Sequence, residues 1–174
     1  GFASDRFASI EIRLAGSVPK EMRTAVTNLV RFAITPVADG FADVRVALDH
    51  AGAAALAPSN QPVFFDCRVS LPRNVPEPAW NAETGVFDIW QTDVVRHVVF
   101  TLPDFLRKTA SVQPMGPKGT PPIAWHLVWR VGAKDGDAFT VRMDLDVAPT
   151  LARKLTPRVG VIDFDRIDAL HVPV

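Results

Sequence analysis

The sequence predicts an α+β fold: a mainly antiparallel sheet of about six to eight strands, with one long N-terminal helix and one or two short helices. Three observations carry that prediction. Apolar and polar residues alternate over many short runs, most clearly between Ile123 and Val147. One early run, from Met22 to Ala33, instead repeats its apolar residues at helical spacing. Clusters of proline and glycine punctuate the runs.

The first strand is "FASIEIRLA", with Ile10, Ile12 and Leu14 on one side and Glu11 and Arg13 on the other. The long helix is expected next. Ser17 can cap it and Pro19 suits its first turn. Met22, Val26, Leu29, Val30 and Ala33 share one face, with Arg23, Thr27 and Arg31 elsewhere, and Pro36 and Gly40 end it. "FADVRVALDH" is the second strand, with Val44, Val46 and Leu48 inward. "AGAAALAPSN" is a surface excursion with room for one helical turn over 53–57. The strand "PVFFDCRVSL" puts Val63, Phe65, Cys67, Val69 and Leu71 on one parity. Prolines then impose an extended path on "LPRNVPEPAWNAETG", in which Trp80 needs cover.

"VFDIWQTDVVRHVVFTL" also fits a helix over 93–102, but its β-branched residues and Pro103 favour strand. "PDFLRKTA" is a short helix, and "SVQPMGPKGTPP" is a long Pro/Gly loop. Next comes a predicted hairpin around "GAKDGD", with Gly136 in a left-handed conformation. Its register sets Trp129 opposite Val141, Trp125 opposite Leu145, Arg130 opposite Thr140 and His126 opposite Asp144. "APTLARKL" reads as a short helix, "RVGVIDFD" as a last strand and "RIDALHVPV" as a tail.

The 174 residues, 48% of them hydrophobic, fit one globular domain over 1–174. The 19 basic and 19 acidic residues balance locally as well as globally, which argues against a dedicated nucleic-acid binder. Zero net charge also leaves little electrostatic barrier to self-association. Cys67 is the single cysteine, so no internal disulfide or thiolate cluster forms, and its parity predicts a buried structural thiol. With no apolar run near the ~20 residues of a membrane span and no basic-then-apolar leader, the expectation is a cytoplasmic or virion-associated protein.

Chemistry-bearing residues are few. His126 and Asp144, with Arg142, Asp146 and Arg130 near, form a catalytic candidate because a carboxylate can orient an imidazole for general-base work. No Ser or Cys nucleophile motif accompanies them, so a solvated or contacting sheet face is the preferred reading. Asp144 with Asp146, and Asp163 with Asp165, place paired carboxylates on strand faces as a hard cation needs. Arg142 and Arg166 stand beside them as counterions, and no metal or cofactor is expected. His50, His97, His126 and His171 are scattered, and "GPKGT" lacks the spacing of a phosphate loop. Trp125 and Trp129, with Phe139, could stack single-stranded bases, but the same alternation describes a core face.

The expected function is a non-enzymatic structural or assembly subunit that binds itself or a protein partner. Trp80, Met115, Pro117 and Lys118, in or beside the two Pro-rich loops, are the expected interface. A virion coat or matrix component, or part of a bacterial tail or secretion machine, fits that reading. The first alternative is a small hydrolase, cyclase or ligand-binding domain with a pocket near His126 and Asp144. The second is a sheet surface that binds single-stranded RNA.

Overall fold

The computed structural model describes residues 9–23, 28–38, 41–58, 61–73, 75–91, 96–132, 137–146, 156–158 and 161–163. Its strands are β1 (Ser9–Gly16), β2 (Val30–Ala38), β3 (Phe41–Leu48), β4 (Val63–Ser70), β5 (Ala79–Asn81) and β6 (Val86–Gln91). They continue as β7 (Arg96–Thr101), β8 (Ser111–Met115), β9 (Ala124–Gly132), β10 (Ala138–Asp146), β11 (Thr156–Arg158) and β12 (Val161–Asp163). One α-helix, α1 (His50–Ala55), and 3-10 segments at Lys20–Met22 and Asp104–Thr109 complete the described elements.

The strands form two antiparallel sheets. Sheet I is built on the four longer neighbours β1-β4-β9-β8, extended beyond β1 by the three-residue strands β12 and β11. Sheet II has the order β2-β3-β10-β7-β6-β5. Period-two alternation sends Ile10, Ile12, Leu14, Phe65, Cys67, Val69, Leu127, Trp129 and Val131 inward from sheet I. Val44, Val46, Phe87, Ile89, Val98, Phe100, Val141 and Met143 answer them from sheet II, and all belong to one buried cluster. The fold is a β-sandwich.

This corrects the α+β expectation. The predicted N-terminal helix is absent from the described part of its span: Lys20–Met22 make one 3-10 turn, and Val30–Ala38 is strand β2. The residues that fit a helical stripe fit a strand better, because Val30, Phe32 and Ile34 alternate with exposed Arg31, Ala33 and Thr35 and pair with Leu48, Val46 and Val44 of β3. Pro36, expected to stop a helix, lies where the β2–β3 register shifts, on an edge strand that tolerates a missing N–H donor.

The predicted β9–β10 hairpin is also corrected. β9 pairs with β4 and β8, and β10 pairs with β3 and β7, so the two strands belong to different sheets instead of pairing with each other. The Pro/Gly segment 111–122 is half strand, because Ser111–Met115 forms β8 against β9. Three other readings agree with the structure. β7 occupies the described part of the ambiguous 93–102 segment, a helical turn is present at α1, and a short 3-10 helix follows Pro103. The predicted helix at 148–155 and the tail lie outside the described residues.

Local chemistry fixes the connections. The Asp49 carboxylate accepts the Gly52 N–H at 2.8 Å and caps α1, which is too short to be stable without such help. Between β5 and β6, Asn81 Oδ1 accepts the N–H groups of Glu83 and Thr84, and Gly85 takes φ +72° to close the turn. A Cβ on Gly85 would lie 2.2 Å from Arg107 Nε and 2.6 Å from the Leu102 carbonyl. A Cβ on Gly119, at φ +81°, would meet nothing within 4 Å.

Gly119→Ala should therefore cost only backbone strain, about 1 kcal/mol, while Gly85→Ala adds a clash and should cost about 2–3 kcal/mol. Urea unfolding of both variants checks this, and equal losses would contradict the packing described around Gly85.

Candidate functional site

The outer face of sheet I carries a groove of about 450 Å³. Its residues follow from alternation and register. Positions 11 and 13 of β1, 66 and 68 of β4, and 128 and 130 of β9 point away from the core, and pairing aligns them in rows: Arg13–Asp66–Arg130 and Glu11–Arg68–Val128–Ser111. Ser9, Ser70, His126 and Gln113 form the next row. Thr109, at the end of the 3-10 helix, closes one wall. Its hydroxyl accepts the Arg130 N–H at 2.9 Å and donates to the Arg130 carbonyl at 3.2 Å, taking the place of a strand neighbour where β8 has not yet begun.

Three guanidinium groups share two carboxylates here. Arg130 pairs with Asp66 through two bonds, Nε to Oδ1 at 2.7 Å and Nη2 to Oδ2 at 3.2 Å, and lies 3.8 Å over the Phe64 ring. Arg68 and Arg13 both donate to the same oxygen, Glu11 Oε2, at 2.7 and 3.2 Å. Arg68 Nε is buried with no hydrogen-bond partner.

Burial works to raise the Glu11 carboxyl, but hydrogen bonds from Arg68 and Arg13, with their charges, outweigh it and hold the group below its ordinary value of 4.5. Burial and the nearby Arg68 charge push the His126 imidazole below its ordinary 6.5, against the smaller pull of Glu11. Burial, reinforced by the Asp66 charge, pushes the Cys67 thiol well above its ordinary range. Cys67 is buried, consistent with the structural thiol read from its parity.

The structure separates His126 from Asp144. His126 stands opposite Ser70 and Gln113 in sheet I, whereas Asp144 stands opposite Phe41 and Val99 in sheet II. Arg142 pairs with its cross-strand neighbour Asp43, at 2.8 and 3.1 Å, and this hydrogen bond, over a smaller opposing effect of burial, keeps the Asp43 carboxyl low. Asp144 and Asp146 lie in β10 of sheet II, whereas Asp163 ends β12 of sheet I. The side chains of Asp146 and Asp163, and all of Asp165, lie outside the described residues. Among the described residues no three His, Cys, Asp or Glu side chains converge as metal ligands.

Trp129 is buried and meets Phe139 edge-on across the sandwich, at 6.3 Å between ring centroids, so it offers no face to a base. Trp125 packs partly against the core. Of the expected interface residues, Trp80 is half-buried with its ring centroid 4.2 Å from that of Phe87, while Met115, Pro117 and Lys118 are exposed.

Two features escaped the sequence reading. His50, at the start of α1, is buried, with Nδ1 3.2 Å from Asp137 and Nε2 unpartnered. On the outer face of sheet II, Trp90 is 52% exposed and stacks on His97 at 3.8 Å, with His97 Nε2 bonded to Asp88. Position 88 of β6 and position 97 of β7 share a face by parity, a relation visible once the two runs are read as antiparallel neighbours.

Compared with known proteins, the chain matches no family model, no curated protein and no solved structure.

Acid should reveal both shifted groups. The unfolded chain takes up the Glu11 and His126 protons more readily than the fold does. Their stabilisation is complete above 4.5 and 6.5 respectively, and is lost as pH falls through the lowered folded-state values. Unfolding free energies measured across that range should fall less steeply in His126→Gln just below 6.5, and less steeply in Glu11→Gln below 4.5. Slopes identical to the parent would contradict the assigned environments.

Proposed function

We propose that the protein is a non-catalytic assembly subunit that associates with further copies of itself through the tip of the β8–β9 hairpin. The carrying observation is an exposed tip bearing apolar side chains and braced by hydrogen bonds. β9 meets β4 only from His126 onward, so the hairpin runs past the end of β4. Met115 and Ile123, 36% and 46% exposed, both lie at this end, their backbones joined by the Ile123 N–H to Met115 carbonyl bond at 2.8 Å, with Met115 opposite Ala124 and Ile123 against Gly116. Pro114, Pro117, Pro121 and Pro122 surround them, all exposed.

Thr120 Oγ1 donates to the Pro117 carbonyl at 2.7 Å and so braces the loop between them. A loop restrained by its prolines and this bond loses little conformational entropy on docking, which favours contact over chemistry at this position. Zero net charge supports a second copy as the occupant, because like molecules then approach without long-range repulsion. A subunit with two broad sheet faces and a projecting hairpin suits a repeating layer, such as a virion coat or matrix, or a ring in a tail or secretion machine.

Light scattering behind size exclusion, over a wide concentration range, tests the proposal. The parent should climb above 19.0 kDa with concentration. The pair Met115→Ser and Ile123→Ser should weaken association at least about tenfold with the fold intact, the loss expected from two apolar contacts of roughly 1 kcal/mol each. Shortening the loop within 116–122 is the cleaner deletion, since removing 111–115 would also remove an edge strand of sheet I. A parent that stays at 19.0 kDa throughout overturns the proposal.

A further inference from the structure

We infer that the groove on sheet I is a binding site for a small oxyanion ligand, a phosphate or carboxylate compound, seated over Arg13 and Arg68. Charge accounting inside the groove comes first. Arg130 and Asp66 satisfy each other through their two-bond pair, and Arg130 is further held over Phe64. The remaining two guanidinium groups converge on one oxygen of one carboxylate, Glu11 Oε2. Among the described side chains of the groove, that leaves one positive charge in surplus, together with several N–H donors that Glu11 does not engage.

The second observation is the buried, unpartnered Arg68 Nε. Nε is closed to solvent while Glu11 holds the side chain, so an incoming oxyanion recovers the cost of this unpaired charged donor by displacing Glu11 and letting Arg68 turn, whereupon the planar guanidinium fork matches two oxygens of a phosphate or carboxylate. Third, the adjoining wall is polar: the Ser111 hydroxyl and the Gln113 amide line the groove, so an anion held by the arginines would meet further hydrogen-bonding groups. The volume, about 450 Å³, falls in the range of small-molecule sites and exceeds one bare oxyanion, leaving room for the body of a larger compound.

Glu11 is then an internal competitor, a tethered carboxylate that holds the two arginines until a ligand displaces it. This gives the site a signature that a merely basic surface lacks. Neutralising Glu11 should strengthen anion binding by more than its unit change in charge would give at a distance, because it frees both guanidinium groups at once.

Calorimetric titration at constant ionic strength and neutral pH tests the inference, with inorganic phosphate and succinate as separate probes and chloride as the control. Saturable binding of phosphate or succinate but not chloride is expected, and the stronger of the two identifies the source of the oxyanion. Arg68→Gln should weaken it about tenfold or more, the value of a lost charge-assisted bond. Glu11→Gln should strengthen it. Arg13→Gln alters a mostly exposed side chain and should fold normally, so a several-fold weakening there keeps the test decisive even if Arg68→Gln does not fold. No saturable binding by the parent, or undiminished binding by Arg13→Gln together with no gain in Glu11→Gln, overturns the inference. Because the readout is affinity in a dilute sample, it is independent of whether the hairpin tip assembles.

Discussion

The edge-on contact of Trp129 with Phe139 joins the two sheets where the chain passes from one to the other. β9 ends sheet I's contribution to this region and β10 begins sheet II's, so the two rings face each other across the core instead of lying side by side on one surface. Everything outward depends on that crossing. Once Trp129 points in, Arg130 and Val128 must point out, and once Phe139 points in, Thr140 and Arg142 must point out. A contact between two aromatic rings thereby sets which face of each sheet carries charge, and the large aromatic area it buries makes the alternative parity costly.

The two outer faces use their charges differently. On sheet II, Arg142 and Asp43 form a closed pair directly opposite each other, exposed enough that screening leaves it little weight in stability. In the groove on sheet I the pairing is incomplete among the described side chains, with three arginines to two acids. Ladders of this kind pin strand register, since a two-residue slip of β4 would set Arg68 opposite Arg13 and Asp66 opposite Ala15 in place of the observed acid–base rows. Register specification and ligand affinity thus draw on the same side chains.

Much of the strand content was legible because alternation survives in a single sequence. Ile10, Ile12 and Leu14, the Val63 to Val69 run and the inward half of β9 all read directly. What alternation does not carry is the identity of the partner. β4 lies between β1 and β9, about 50 residues away on one side and 60 on the other, and nothing local in "FFDCRVS" announces either neighbour. The hairpin expectation failed for this reason: short connections usually join neighbouring strands, and here one joins opposite sheets. The helix expectation failed because Leu29, Val30 and Ala33 satisfy a period of 3.6 while Val30, Phe32 and Ile34 satisfy a period of two, and cross-strand pairing with β3 decided between them. The groove escaped notice because its residues, Glu11, Arg13, Asp66, Arg68 and Arg130, are ordinary strand charges until the register assembles them.

Cys67 sits in the inward row between Ile12 and Trp129, 1% exposed, its ionisation suppressed. Thiol-directed reagents need both access and the thiolate, and the closed sandwich denies them both. The rate at which such a reagent is consumed at neutral pH therefore clocks how often the centre of sheet I opens to water, with one reporting atom and no engineered label. Any ligand or neighbouring copy that braces sheet I should slow that clock, and one that braces only the far sheet should slow it only to the extent that the two sheets open together.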